Sequence, residues 1–323
     1  MAMKAATIYE VAQRAGVSIA TVSRALRGSE LVTAETRARV QAAAAELRFT
    51  PNRSGRALAE GRHAANGIVF PDLIGPYYAE VVLGYEETAA GFGSSVLILT
   101  THGRADAADA VRELAGRVDG LAIMGQSVGD EVVEQIAATG LPLVLAARDP
   151  VGGVDTIRTR NEGTAASLTE HLLAHGHRSF VFLGDPEASP DVAGRYAGLS
   201  AALAAHGLDA PQPVPCALDL ESGRRAGAEL SRNPPDAVVC ANDEVALGVR
   251  LADEHLKVTG WDDVLAARFA GLTTVAQPMR QLGATAARWL NDRIAARHGD
   301  DRPAPKRRVL PTQLVVRTSC GDH

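Results

Sequence analysis

Cysteine is scarce in this chain, and its scarcity rules out several architectures. Three occur in 323 residues, at Cys216, Cys240 and Cys320, far apart and in no metal-ligand spacing. A disulfide scaffold and a cysteine zinc site are excluded, and reduced, partly buried thiols are expected. Lysine is also scarce while arginine is abundant, a compositional bias that carries no function by itself. No stretch approaches the roughly 18 apolar residues of a membrane-spanning helix, so no membrane partner is expected. The N-terminus MAMKAATIYEVAQRAG has no apolar core, because Glu10, Gln13 and Arg14 interrupt it. A secretory signal is not expected, and a cytoplasmic location is. Enzyme signatures are missing as well. There is no GxGxxG after a strand, no GxxxxGK[ST] and no GxSxG elbow. His171 and His175 share an i, i+4 helical face but lack the carboxylate of an HExxH motif, so they read as a solvated helix end. No catalytic residue, cofactor or metal is expected.

What is present is ordinary in bulk and uneven in charge. Hydrophobic residues make up 46% and charged residues 22%, enough for a sizeable core. The length suggests two or three domains. The net charge is −5, yet residues 1–62 hold ten basic and five acidic side chains, leaving the remainder at −10. A basic end on an acidic body suits a polyanionic partner at that end, or a solvated helical surface.

The first sixty residues divide into short helices. Thr7-Ile8-Tyr9-Glu10 is a capping box. The helix it opens runs to about Arg14, with Ile8, Val11 and Ala12 on its apolar face. Gly16 supplies the left-handed turn that ends it. Ser18 caps a second helix, from Ile19 to about Leu26, and Thr33 caps a third, with Val40, Ala43, Ala44 and Leu47 at core spacing. Two short helices joined by a Gly turn and braced by a third form an all-α helix-turn-helix unit. Val22, Ala25 and Leu26 of the second helix face inward. Ile19, Ala20, Ser23, Arg24 and Arg27 fall on the other side, small at its N-terminal end, which permits close approach to base edges. Arg24 can bond a guanine or a phosphate. Thr21 and Ser23 suit phosphates, and the cap residues Thr7 and Ser18 join the candidate DNA-binding set.

Next comes Pro51-Asn52-Arg53-Ser54-Gly55-Arg56-Ala57-Leu58. Asn52 can cap a helix too short to persist alone in water. Leu58, apolar beside Arg53 and Arg56, fits a wedge in the minor groove of DNA, or packing on the following domain. The string TIYEVAQRAGVSIATVSRALRG…VTAETRARVQAAAAELRFTPNRSGRAL resembles the headpiece of LacI-family transcription regulators, without a gap. The resemblance implies that Ile19, Ala20 and Arg24 read the major groove. It also implies that Leu58 intercalates at the centre of a palindromic operator, with paired hinge helices in a dimer. Two positions depart from the family pattern: Arg27 stands where Asn is frequent, and Gly55 where Ala is common. A glycine there disfavours the helix, so Gly55→Ala is expected to raise DNA affinity.

From residue 64 onward, strand-like runs alternate with helical stretches. NGIVFP, SSVLILT, DGLAIMG, LPLVLAA, SFVFLGD, DAVVCAND, LKVTGW, LTTVAQ and QLVVRT are the candidate strands. Their alternation predicts βαβ units with parallel sheets, and their number predicts two Rossmann-like α/β lobes with a cleft between them. Ligands in such folds sit at the carboxyl ends of strands, which singles out Asp72, Gly125, Asp185, Asn242, Asp243, Trp261 and Asp262. The region resembles the periplasmic-binding-protein-like sensor domain of the same family, through GIVFPDLIGPYYAEVVLGYEE, HGHRSFVFLGDP, ANDEVALG, VTGWDD, LTTVAQPMRQLG and QLVVRTS. By that resemblance Arg195, Asn242 and Asp262 enter the cleft, and Tyr77 and Tyr78 line the first lobe. Such a set suits a sugar: carboxylate and amide groups bridge vicinal hydroxyls, Arg donates parallel bonds, and aromatic faces such as Trp261 or Tyr77 meet C–H surfaces. Asp262 and Asn242 can equally cap the helices that follow, and Trp261 can equally be core.

Three further departures bear on the site. The passage from ADEH into LKVTGW is about ten residues shorter than in the family, which leaves the placing of Trp261 and Asp262 open. Arg160-Asn161 stands where Asp-Asn is common and admits an anionic effector. No leucine heptad follows Arg317, so a homodimer rather than a tetramer is expected. The expected organisation is a headpiece over 1–50, a hinge over 51–63 and a two-lobed effector-binding domain over 64–323. The expected function is a DNA-binding repressor switched by a small molecule, most simply a sugar. The alternatives are a sugar-binding protein serving a transporter, and a cleft enzyme.

Overall fold

Thr7 opens the first helix as its spacing to Glu10 predicts. The Thr7 amide donates to the Glu10 carboxylate at 2.6 Å, and the Glu10 amide donates back to the Thr7 hydroxyl at 3.4 Å. The resulting α1 (Ile8–Ala15) ends at Gly16, whose φ of +65° carries the chain into a turn that a side chain would strain. Ser18 accepts from the Thr21 amide at 3.2 Å and starts α2 (Ile19–Leu26). Thr33 accepts from the Thr36 amide at 3.3 Å and starts α3 (Ala34–Glu46). Val11, Val22 and Val40, one from each helix, are fully buried together with Ala12, Ala15, Ala25 and Ala43. Arg37 fastens the α2–α3 loop by donating to the carbonyls of Gly28, Ser29 and Val32.

The computed structural model describes residues 6–26, 28–49, 62–297 and 303–321. The chain divides into two compact units, Met1–Arg62 and His63–His323. Arg27, and the hinge residues Asn52, Arg53, Gly55, Arg56 and Leu58, lie outside the described residues.

The second unit is two α/β lobes. The first is built on β1 (Ala65–Phe70), β2 (Ser95–Thr100), β3 (Gly120–Met124), β4 (Leu143–Ala146), β5 (Asp155–Thr159) and β10 (Arg307–Leu310). They form one parallel sheet in the order β10-β5-β4-β3-β1-β2. Alternate side chains serve its two faces. Ile68, Phe70, Ala122 and Met124 pack under α4 (Pro76–Gly91) and α12 (Met279–Ala296). Val69, Leu121 and Ile123 pack under α5 (Ala107–Ala115) and α6 (Asp130–Ala138). Burial on both faces is why these strands read as continuous apolar runs.

The second lobe holds β6 (Phe180–Leu183), β7 (Ala237–Cys240) and β8 (Val258–Thr259) in parallel. The sheet is extended through β9 (Thr274–Ala276), which pairs antiparallel with β11 (Gln313–Val315). Around it pack α7 (Glu162–Ala174), α8 (Pro190–Ala205), α9 (Leu220–Leu230), α10 (Asp243–Ala252) and the short α11 (Leu265–Phe269). The chain crosses between the lobes three times: from β5 into α7, from β9 into α12, and from β10 into β11.

All nine strands expected from the sequence are present. Two more, β5 and β10, were not legible as apolar runs. Asp155 on β5 is buried, but Arg293 grips its carboxylate through two bonds of 2.6 and 2.8 Å, and the Lys306 amide adds a third at 2.7 Å. β10 is an edge strand with Arg307 and Arg308 exposed.

The shortened passage after α10 is a tight turn over 253–257, in which Asp253 accepts from the His255 amide at 2.9 Å. The residues beyond it are held by neighbours rather than by the turn. The Asp243 amide donates to the Trp261 carbonyl, and the Asp262 amide to the Val275 carbonyl, each at 2.8 Å. The short connection therefore leaves Trp261 and Asp262 at the end of β8.

Candidate functional site

Helix α2 presents a surface free of core duties. Ile19 is 39% exposed, Ala20 and Arg24 are exposed, and Thr21 and Ser23 are half-buried beside them. Val22 and Ala25 hold the opposite face in the core, and Leu26 packs against it. Thr7 and Ser18 are exposed, their hydroxyls occupied in capping.

The interlobe cleft assembles at the carboxyl ends of the strands. Arg195, on the first turns of α8, is 6% exposed and held on three sides. Its Nε donates to Asn161 Oδ1 at 3.0 Å, its Nη1 donates to the Ala241 carbonyl at 2.6 Å, and its guanidinium lies 4.7 Å from the Trp261 ring centre. Nη2 has no partner among the described residues. Asn161 is a junction. It accepts from Arg195 and donates to Asp191 Oδ1 at 2.8 Å, so the start of α7 and the start of α8 are tied together.

Asp262 follows β8 and is 5% exposed. Its φ of +117° is one that L side chains rarely adopt, and such a strained backbone persists only where its surroundings enforce it. Gln277, on the crossing from β9 to α12, donates to Asp262 Oδ1 at 2.6 Å and accepts from Thr159 at 2.7 Å. Burial is the largest influence on the Asp262 carboxyl and pushes it up to about 7, against the lowering effect of Arg195 and the Gln277 bond. Burial also raises Asp191, and raises the fully buried Asp243 well above the usual carboxylate range.

Tyr77 and Tyr78 supply the first-lobe wall. They stack edge to face at 5.2 Å, and Tyr78 meets Phe70 at 5.6 Å. Burial raises both phenols, and nearby negative charges raise them further, Asp191 and Asp262 for Tyr77, and Asp72, Asp262 and Asp191 for Tyr78. Neither hydroxyl has a partner among the described residues. At the mouth, a side chain at Gly75 would overlap the Glu244 carboxylate, so the two lobes touch there.

The structure thus brings Tyr77, Tyr78, Arg195 and Asp262 together. Asn242 stands beside them, but its amide is engaged: Oδ1 accepts from the Val245 amide at 3.0 Å, and Nδ2 donates to the Leu218 carbonyl at 3.1 Å. Trp261 differs from the ligand-stacking expectation. It is 2% exposed within the second-lobe core, with the Arg195 guanidinium across its face, so it reaches a ligand only through Arg195. Asn161, Asp191, Glu244 and Gln277 complete the cleft, and sequence reasoning did not select them for it. Asp191 and Glu244 each open a helix that follows a strand, a signal that could have found them. Gln277 lies on a lobe crossing and had none. Arg160 lines a groove of about 580 Å³ with Arg158, and Asn161 and Asp191 line that same groove. Among the described residues no group of three or more His, Cys, Asp or Glu side chains is placed to hold a metal ion, and no helix is long and apolar enough to cross a membrane.

Comparison with known proteins places both units. Residues 7–52 match the family described as bacterial regulatory proteins of the lacI family, and residues 63–304 match periplasmic binding proteins and the sugar binding domain of the LacI family. The maltose regulon regulatory protein MalI of Escherichia coli (strain K12) is 30% identical, covering 97% of this chain and 98% of that protein. A crystal structure of the Lac repressor dimer bound to operator and the anti-inducer ONPF superposes with a TM-score of 0.84 at 28% identity, covering 99% of this chain and 100% of that one. The complex of the transcriptional regulator CelR with cellobiose superposes at 0.70 and 29% identity, covering 97% and 99%. From the helix-turn-helix to the cleft, the chain belongs to the LacI family of bacterial regulatory proteins and is a DNA-binding transcription regulator with a sugar-binding-type sensor domain, not an enzyme.

Proposed function

We propose that this regulator works in the cytoplasm as a homodimer on a pseudo-palindromic operator, and that a sugar in the interlobe cleft changes its operator affinity. The observation that carries this reading is a set of polar atoms beyond the strand ends of both lobes that have no partner among the described residues: the Tyr77 and Tyr78 hydroxyls, Arg195 Nη2 and the outer oxygen of Asp262. Hydroxyl-rich ligands satisfy such mixed donors and acceptors, while the tyrosine faces meet their C–H surfaces. The Lac repressor and CelR structures lend the operator, the dimer and the sugar as analogies.

On the DNA side, Ile19, Ala20 and Arg24 meet base edges, and Thr21 and Ser23 meet phosphates, with Thr7 and Ser18 at the helix starts beside the backbone. Arg27, Asn52, Arg53, Arg56 and Leu58 belong to the same interface by family resemblance. A two-fold dimer requires a two-fold site. Ligand bound between the lobes changes their angle, and it alters DNA affinity to the extent that it binds the two arrangements unequally.

The test is fluorescence anisotropy of the full chain on a pool of palindromic duplexes, at several salt concentrations, with a panel of sugars. Sequence-selective binding that weakens steeply with salt and is shifted by a sugar is the expected result. Binding no tighter than to random DNA, or indifference to every sugar, overturns the respective half of the reading.

A further inference from the structure

The two lobes touch at a point far from the crossings that join them. Of the strands at those crossings, β5 and β10 form one side of the first-lobe sheet. Strand β1 stands three positions from β5 and four from β10, roughly 14 to 19 Å away at about 4.8 Å per strand. Beyond β1 the chain passes Asp72 and reaches Gly75, which opens α4. Facing Gly75 is Glu244, in the first turn of α10 on the second lobe. Both carboxylate oxygens of Glu244, and its carboxyl carbon, fill the place where the Cβ of any other residue at position 75 would stand. Gln277 also links elements of both lobes, through Asp262 and Thr159, but it lies on a crossing and has little leverage on the lobe angle.

Both sides of this contact are prepared for it. Gly75 has a φ of +91°, a conformation that favours glycine, and its bare Cα lets the carboxylate approach the backbone. No side chain of its own segment caps α4: Gly75 has none to offer, and Pro76 takes the first helical position. A carboxylate at the start of this 16-residue helix is favoured by the helix dipole. On the second lobe, Asn242 Oδ1 caps α10 by accepting from the Val245 amide at 3.0 Å, while its Nδ2 donates to Glu244 Oε2 at 3.3 Å. One amide thus starts the helix and aims the carboxylate. Burial raises the Glu244 carboxyl, and the charge of Asp72 on the opposite lobe raises it further, as befits a group that the first lobe partly removes from water.

Resting on the reading of the cleft as the effector site, we propose that the seating of Glu244 on Gly75 is a catch that holds the lobes together before any effector arrives. An effector that fits the closed arrangement finds it already populated, and its apparent affinity carries little penalty for closing. An effector that needs the lobes apart has to displace Glu244 from the start of α4. In both cases the catch sets the lobe angle from which the response to effector begins.

The experiment is a pulsed electron-spin distance measurement on the full chain without ligand. Nitroxides are placed at Ala105→Cys, beyond β2 on the first lobe, and Glu187→Cys, beyond β6 on the second, in a Cys216→Ser background. Both positions are exposed, and the remaining cysteines, Cys240 and Cys320, are buried. With Glu244 and Gly75 in place, one narrow distribution is expected. Glu244→Ala should shift it to longer distances. Gly75→Ala, which puts a methyl group where the carboxylate sits, should do the same, and the double variant should open no further than the wider single one, because both act through one contact. An unchanged distribution in Glu244→Ala overturns the inference. So does a double variant whose shift is the sum of the two, since strain at position 75 would then act apart from Glu244. Glu244 is only half-buried, so the first comparison stands even if Gly75→Ala folds poorly. No sugar enters the measurement, so its failure leaves the sugar-effector reading standing. Operator binding indifferent to every sugar, with the Glu244→Ala shift present, overturns that reading and leaves the catch.

Discussion

Asp262 shows how a single side chain ties stability to binding. An unburied aspartate titrates near 3.9, whereas burial, opposed by Arg195 and the Gln277 bond and reinforced by Glu244 and Asp191, pushes this one up to about 7. The folded chain therefore binds a proton more tightly than the unfolded chain does. The linkage runs opposite to that of a salt-bridged carboxylate: stability falls as pH rises from about 4 to about 7, and the loss is fully present above that. Asp262→Asn keeps the oxygen that Gln277 uses and removes the charge. In the absence of ligand, its sensor domain should melt higher than the native one near pH 8, with the gap closing toward about pH 5. A gap that stays constant across that range would show that the carboxyl is not the source. Part of this site was legible in the sequence. Arg195, Asp262, Tyr77 and Tyr78 stand in motif positions and do converge. The residues that hold them in place did not stand out, because Gln277 and Asn161 act where the chain crosses between lobes and no local pattern marks such a crossing.

At the scale of elements, packing depends on glycines that sequence periodicity does not flag. A side chain on Gly84 of α4 would overlap the Arg280 carbonyl of α12, and one on Gly283 of α12 would overlap the Val81 carbonyl of α4. Gly223 and Gly248 repeat the arrangement between α9 and α10. Backbone meets backbone, so no side chain can yield. Gly84→Ala is expected to cost about 1–3 kcal/mol, read as a lower denaturant midpoint for the sensor domain with the headpiece transition unchanged. An unaltered midpoint would mean that the two helices slide apart at no cost. Strand legibility followed charge. Nine strands were plain as apolar runs, while β5 and β10 were hidden, one by a buried ion pair and the other by the exposed arginines of an edge strand.

The whole molecule joins a basic unit to an acidic one, and the junction has a defined anchor. The buried Asp119 carboxylate accepts from the His63 amide at 2.7 Å and the Ala64 amide at 2.8 Å, fixing where the chain enters β1. Hydrogen-bond networks of this kind can carry coupling between distant sites. Asp119→Ala is expected to leave effector affinity within about twofold while reducing the change in operator affinity that the effector causes. Calorimetry and anisotropy on the same preparation separate the two quantities, and a full response in the variant would show that entry into β1 need not be held. Charge asymmetry and domain order were legible in composition and motif. The anchoring role of Asp119 was not, since a lone aspartate before a strand looks like any turn residue.

The three lobe crossings set what recombination can do with this gene. Neither lobe is one continuous stretch of chain, because α12 and β10 return to the first lobe after the second has been built. A genetic exchange that swaps one lobe for a relative's would need to break and rejoin the coding sequence at all three crossings together. The headpiece precedes the sensor as a single stretch and is exchanged by one event. Operator choice can therefore be inherited separately from the cleft, whereas the two walls of the cleft are inherited together.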